Sequence, residues 1–263
     1  MLFGLSTPAL AAILVAAIFG STLGGLAMGH SRRKDESGLR ESSGVLQGAL
    51  LGFMGLILAF GLSLALGRYE ARRVAIVDDS NVIGTTYLRA QTLGEPYRSQ
   101  SLPLLIDYAD VQLRITHEVP GGEAQAGSIE EGSVLHDNLW AINGQALAAD
   151  PTGTAVRLYE ESLNEMIDQR TVRVAGLNNR VPTEVLLLQV IGSAIAMFLL
   201  GLHVGVLGRA IAPLLLAAGL ITMLLFVTFD LDRPTRGFIT IPDTPMVALR
   251  ESMNDPPAAA PSP

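Results

Sequence analysis

One stretch, Gly44–Arg73, constrains the fold of this chain more than any other. From Gly44 to Gly67 it contains no ionisable side chain. At about 1.5 Å of rise per residue, a helix over this run is about 36 Å long, which is enough to cross the hydrocarbon core of a bilayer with some tilt. Charged residues then follow from Arg68 onward without a proline or another turn signal. We therefore predict one long helix that begins in the membrane and continues beyond it.

Charged residues are scarce and unevenly distributed along the chain. They make up 16% of the 263 residues, whereas a soluble domain has about 25%, and they avoid four apolar blocks. These blocks are predicted to be membrane spans, at residues 8–28, 44–67, 183–207 and 210–229. The composition therefore indicates an integral, multi-pass protein in a lipid bilayer, which we expect to be the inner (plasma) membrane.

Net charge and cysteine content exclude several classes of partner and site. The net charge of −7 leaves no broad surface for a polyanion, so nucleic acid is not an expected partner. The chain has no cysteine, which excludes disulfides, thiolate metal sites and cysteine nucleophiles. No phosphate-binding glycine loop, zinc-protease motif or serine-nucleophile elbow occurs in the sequence. We therefore expect neither an enzyme nor a cofactor.

Between the two membrane hairpins lies a long segment in which apolar residues recur at helical spacing and no alternating strand pattern occurs. The predicted fold class is all-α, with four transmembrane helices in two hairpins and a membrane-adjacent helical domain inserted between helices 2 and 3. The predicted boundaries are 1–67 for the first hairpin, 68–182 for the soluble helical domain, 183–229 for the second hairpin and 230–263 for a C-terminal segment. The end of that segment is rich in proline and alanine, and we expect it to be disordered.

Glycines at small-xxx-small spacing mark one face of each of the first two spans. In the first span, Gly20 and Gly24 are four residues apart, as are Gly25 and Gly29. Because this spacing lets two helix backbones approach closely, we predict that the face packs against another helix of the bundle. The second span has glycine at every fourth position from Gly44 to its middle. Whether this second face meets another helix or a pore axis stays open at the level of the sequence.

Charged side chains gather where the spans leave the membrane on the side of the soluble domain. We predict an interfacial network in which aspartates and arginines neutralise each other, because the arginine fork binds a carboxylate at two points. Its members are Arg68, Arg72, Arg73, Arg180, Asp230, Asp232 and Arg233. Two other uses stay open, namely a hard cation on paired aspartates such as Asp78 and Asp79, or an anion on surplus arginine. We assign no metal.

The charges do not decide which side of the membrane the soluble domain faces. The positive-inside rule is most reliable for short loops, and it favours the hairpin loops in the cytoplasm. The total number of arginines near the membrane ends of the spans instead favours the soluble domain in the cytoplasm.

Three segments carry motifs in a fixed order along the chain. Leu64–Ala90 contains R-Y-x-A-R-R at the end of the second span and N-x-I-G-T-x-Y-L-R-A further on. Leu163–Pro182 contains spaced Asp, Arg, Asn and Pro residues, and Asp230–Ile239 directly follows the last span. In this order and spacing the segments resemble a family of bacterial membrane proteins described as bestrophin-like. The chain departs mildly from the family in having Asp79–Ser80–Asn81 where an acidic residue, alanine and asparagine are usual.

The resemblance carries functional expectations. Bestrophins are pentameric anion channels whose second membrane helix lines the pore and supplies a hydrophobic constriction. The resemblance therefore implies a homo-oligomer that passes inorganic ions, with the helix at 44–67 lining the pore and with Phe53 and Phe60 as constriction candidates. Two phenylalanines seven residues apart share one helix face, as a dewetting ring requires. The alternative is a non-conducting membrane scaffold or sensor whose helical domain signals through the continuous second helix.

Overall fold

The computed structural model describes residues 6–31, 42–208, 211–233 and 235–255, with side chains from residue 47 onward in the second range. These described residues form eight helices and no strand. The helices are α1 Thr7–Ser31, α2 Ser42–Ala90, α3 Tyr97–His117, α4 Glu123–Ala149, α5 Thr154–Asn178, α6 Thr183–Leu207, α7 Ala212–Leu231 and α8 Thr244–Ser252. Four of them, α1, α2, α6 and α7, lie in stretches long and apolar enough to cross a membrane. The predicted all-α fold with four candidate spans is confirmed.

The helices fall into two compact units. The membrane unit consists of the chain up to Tyr69 and of Arg180–Thr240, and the helical unit consists of Glu70–Asn179 and the chain from Ile241 onward. The long helix α2 contributes its first part to the membrane unit and its second part to the helical unit. The chain after residue 230, predicted as one segment, is thus divided between the two units.

In the membrane unit, a continuous apolar core joins α1, α6 and α7. Leu10, Leu14 and Ile18 repeat every fourth residue on α1 and are almost completely buried, as expected for one face of a helix. Gly208 caps the end of helix α6, and its φ of 63° is the left-handed conformation that glycine adopts without strain. Proline in the first turn of α7 then starts the next helix. These two signals mark the end of α6 and the start of α7.

Glycines bring the backbones of α1 and α6 together. A Cβ added to Gly25 would collide with the backbone carbonyl oxygen of Phe198, and one added to Gly205 would lie 2.5 Å from the carbonyl oxygen of Leu26. Such an approach is possible only where neither helix presents a side chain. The predicted helix contact of the first span is confirmed for Gly25 and Gly29, whereas Gly20 has open space around it.

The helical unit is organised around a core of large side chains. Tyr108 from α3, Leu139 from α4 and Tyr159 from α5 are fully buried there. Burial raises the pKa of Tyr159 to about 12, because the apolar surroundings disfavour the phenolate. This core fixes the packing of α3, α4 and α5 around the second part of α2.

The structure differs from the sequence-based expectation at two helices of this unit. From the sequence, Ser128 is the expected N-cap of the helix that follows α3. The structure begins helix α4 earlier, at Glu123. The Ser128 hydroxyl is not a helix cap but donates a 2.8 Å hydrogen bond to the Glu118 carboxylate. Helix α8 was not predicted; its Met246 is fully buried in the core and its Arg250 binds both carboxylate oxygens of Asp110.

Several predictions fall outside the described residues. They concern the loop between the first two spans, Arg209 in the loop between the last two spans, and most of the C-terminal tail.

Candidate functional site

The membrane part of α2 exposes a stripe of bulky apolar side chains. Phe53 and Phe60 are 59% and 62% exposed, and Leu56 and Leu64 continue the stripe at 52% and 44%. Positions three, four and seven apart lie on one side of a helix. Nothing in the described part of the chain covers this stripe, so it is available to lipid or to a second protein surface.

A second side of the same helix is held tightly to α6. The Gln189 amide donates a 2.9 Å hydrogen bond to the carbonyl oxygen of Ile57. Gly61 makes this possible, because a Cβ at that position would coincide with the Gln189 amide. One turn further along, Met54 packs so close to Gly192 that a Cβ there would lie 2.5 Å from its methyl group. The face that α2 turns toward its own bundle is thereby fixed, and with it the face that stays exposed.

A compact loop follows α7 where the chain leaves the membrane. The Asp230 carboxylate accepts hydrogen bonds from the backbone N–H groups of Phe238 and Ile239, at 3.0 and 2.8 Å. Gly237 is required for this closure, since a Cβ there would lie 2.7 Å from an Asp230 oxygen. Asp230 is only 1% exposed. This aspartate therefore shapes the turn through hydrogen bonds from backbone amides.

The second aspartate of the loop ties it to the start of α6. Both Asp232 carboxylate oxygens lie 3.2 Å from the backbone nitrogen of Val181, which donates to them. Arg233 is buried next to Asp230, and its pKa is lowered chiefly by loss of solvent, with Arg236 and Arg180 acting in the same direction. The structure thus places Arg180, Asp230, Asp232 and Arg233, four members of the predicted charge network, in one region of the membrane unit.

The remaining members of the predicted network lie on α2. Arg72 is buried and donates to the carbonyl oxygens of Gly176 and Asn179, at 3.1 and 2.7 Å. Arg73 forms an exposed pair with Glu70 on the same helix, while Arg68 is partly exposed. Arg72 therefore braces the end of α5, which is a structural use that the sequence did not indicate. The network as a whole stays a prediction.

A buried ion pair in the helical unit was not foreseen from the sequence. Arg173 donates to the carboxylate of Asp79, to Gln112 and, at 2.6 Å, to the Thr116 hydroxyl. Asp79 is fully buried, and desolvation raises its pKa although Arg173 acts in the opposite direction. One signal was present in the sequence: Asp79 lies three residues after Ile76 and therefore on the buried stripe of α2.

The alternative of a cation at Asp78 and Asp79 gains no support from this geometry. The carboxylate of Asp79 is directed at a guanidinium, and the described residues contain no group of three or more side chains suited to holding a metal ion.

Comparison with known proteins identifies the family. A family model described as a bestrophin-like domain matches residues 10–246, which include nearly all of the four candidate spans, most of the helical unit and the loop after α7. No curated protein and no solved structure matches the chain. The motifs at the end of the second span and after the fourth span, together with this match over nearly the whole length, show that the chain is a membrane protein of the bestrophin-like family.

Proposed function

We propose that this protein is a homo-oligomeric ion channel of the bacterial inner membrane, with no catalytic activity, in which α2 lines the pore. The observation that carries the proposal is the exposure of Phe53 and Phe60 on the membrane part of α2. Membership of the bestrophin-like family supports it, because bestrophins conduct anions through a pore lined by their second membrane helix.

The exposed stripe has the chemistry of a channel constriction. Rings of bulky apolar side chains around a narrow axis exclude water and so oppose ion passage until the ring widens. Phe53 and Phe60, seven residues apart, would form two such rings about two helical turns from each other. In this arrangement, ion flow depends on the size of the side chains at these two positions.

A third face of α2 is formed by exposed glycines and is available to a neighbouring subunit. Besides the phenylalanine stripe, Gly48, Gly52 and Gly55 are exposed, and a Cβ at any of them would meet nothing within 4 Å. A pore-lining helix in a ring of subunits needs three faces, directed at its own bundle, at the axis and at a neighbour. The packed face with Met54 and Leu58, the phenylalanine stripe and the glycine face supply these three.

The test is reconstitution of the purified oligomer into planar bilayers under voltage. We expect single-channel currents whose amplitude or selectivity changes in Phe60→Ala, because the ring becomes wider. Leu220→Ala is the matched control, since Leu220 is an equally exposed apolar residue on α7. Absence of current from a well-folded oligomer, or equal effects of both variants, would overturn the proposal.

A second function is favoured by the continuity of α2, which runs without interruption from Ser42 to Ala90. A scaffold or sensor would use this helix to relay binding at the helical unit to the membrane. Native mass spectrometry separates the two functions, because a monomer or dimer without currents favours the sensor. A reporter fused to the C-terminus then gives the side of the membrane on which the helical unit lies.

A further inference from the structure

The helical unit contains an open groove between α4 and α5 that the channel function does not use. It has a volume of about 370 Å³ and is lined by residues from one face of each helix. Ser133, His136 and Trp140 on α4, and Ile167 and Arg170 on α5, follow the spacing of helix neighbours. A volume in this range suits a small organic molecule.

The inner side of the groove carries two polar groups whose bonding is incomplete. The Arg170 guanidinium donates to the carbonyl oxygen of Ile129 and, at 2.8 Å, to the Ser133 hydroxyl. Its Nε is buried and has no hydrogen-bond partner in the described part of the chain. The same holds for Nε2 of His136, whose side chain is 5% exposed. Buried polar atoms are usually satisfied, and a polar ligand in the groove would supply both of these atoms with a partner.

The histidine is held in place and carries no charge at neutral pH. Its ring packs against Tyr108, with the ring centres 4.6 Å apart. Burial, assisted by the positive charge of Arg170, lowers the pKa of His136 to about 4. The positive charge of the groove therefore belongs to Arg170 alone.

The outer side of the groove carries a negative charge instead. Asp137 and Trp140 lie three residues apart on α4, so their side chains are neighbours at the rim. Asp137 is exposed, and the only tryptophan of the chain is 41% exposed. A carboxylate and an indole face together attract a small cationic group by charge and by cation–π interaction.

We propose that the groove between α4 and α5 binds a small zwitterion, namely a free amino acid with an apolar side chain. Its carboxylate binds Arg170 and His136 on the inner side, where charge-assisted bonds to a guanidinium are strong. Its ammonium group binds Asp137 and Trp140 at the rim. Its side chain packs against Ile167. Each charged group of the ligand thus meets a group of opposite charge in the groove.

The test is calorimetric titration of the full-length protein in detergent at neutral pH with three related probes. L-leucine carries both charged groups, isocaproate lacks the ammonium group, and isoamylamine lacks the carboxylate. We expect leucine to bind and each analogue to bind at least about tenfold more weakly, since each loses one of the two charged contacts. No heat with leucine at millimolar concentration would overturn the site, and equal binding of isocaproate would overturn the ammonium contact.

Variants at the rim keep the test independent of folding. Asp137→Asn and Trp140→Ala alter exposed side chains, so the thermal midpoint without ligand should not change, whereas leucine affinity should fall about tenfold. Glu130→Gln is the control, because Glu130 is an exposed carboxylate on the same helix outside the groove. If all three variants bind leucine equally, the proposal is wrong. Bilayer currents are not part of this test, so its outcome is separate from that of the channel.

Discussion

The guanidinium of Arg173 and the carboxylate of Asp79 form an ion pair in the interior of the helical unit, with side-chain exposures of 3% and 0%. The pair joins α5 to the second part of α2, and the other donors of Arg173 bind the backbone and hydroxyl oxygens of α3. One side chain therefore connects three helices. Because its charges are hidden from water, the pair fixes how these helices pack.

Arg173→Met is expected to destabilise the helical unit by about 3–5 kcal/mol, because it leaves the Asp79 charge buried without its partner. The measurement is the free energy of opening of α3 and α5 by hydrogen exchange in detergent. Arg114→Met is the control; Arg114 forms an exposed pair with Glu131, and such pairs contribute about 1 kcal/mol or less. The double variant Asp79→Asn/Arg173→Met should regain part of the free energy that Arg173→Met loses. Similar losses from the two arginine variants would refute this role.

Acidification should loosen the helical unit through His136. Its pKa is about 4 in the folded protein and 6.5 for the free side chain, so the unfolded chain binds more protons between these two values. The contribution of this residue to the free energy of unfolding is therefore fully present above pH 6.5. It is lost as the pH falls toward 4, by roughly 3 kcal/mol in total. Hydrogen exchange of α4 at several pH values measures the loss.

Two variants isolate the contribution of this histidine. His136→Gln removes the titrating group and should flatten the pH dependence in that interval. His117→Gln should leave the dependence in place, because His117 is exposed and bonds to Asp243 at the surface. A pH profile of His136→Gln that matches the parent protein would contradict the assignment.

The membrane helices could be predicted from the sequence because their signal is local. A run without charge that is long enough for a bilayer has few other structures available. The packing face of α1 could also be predicted, since spacing alone places Gly25 and Gly29 on one face. The identity of the partner helix could not be predicted, because the contact with α6 depends on how distant segments pack.

The helices and contacts that were missed depend on tertiary structure. Helix α8 is short and follows Pro242, and it is held by the burial of Met246 and the Arg250–Asp110 pair. A nine-residue helix has little stability without such packing. The role of Arg72 depends on carbonyl groups at the end of α5, far away in sequence. No local pattern encodes either feature.

Substituting Gly25 should disrupt the contact between α1 and α6. The added methyl of Gly25→Ala collides with the Phe198 carbonyl oxygen, so the helices must separate, at a cost of about 1–3 kcal/mol. Gly20→Ala is the matched control on the same helix, because a Cβ there meets nothing within 4 Å. Thermal stability in detergent distinguishes them. If both variants have the same midpoint of thermal unfolding, the close approach of α1 and α6 is not needed for stability.

Asp230→Asn should open the loop after α7 without unfolding the spans. The carboxylate accepts from the backbone N–H groups of Phe238 and Ile239, and hydrogen bonds to a charged group contribute about 1.5–3 kcal/mol. The amide removes the charge and turns one acceptor into a donor. We expect exchange of the Phe238 and Ile239 amides to become about 10- to 100-fold faster. Glu184→Gln, at an exposed carboxylate in the first turn of α6, should leave both amides protected. Unchanged protection in Asp230→Asn would show that the backbone of the loop holds its shape without this carboxylate.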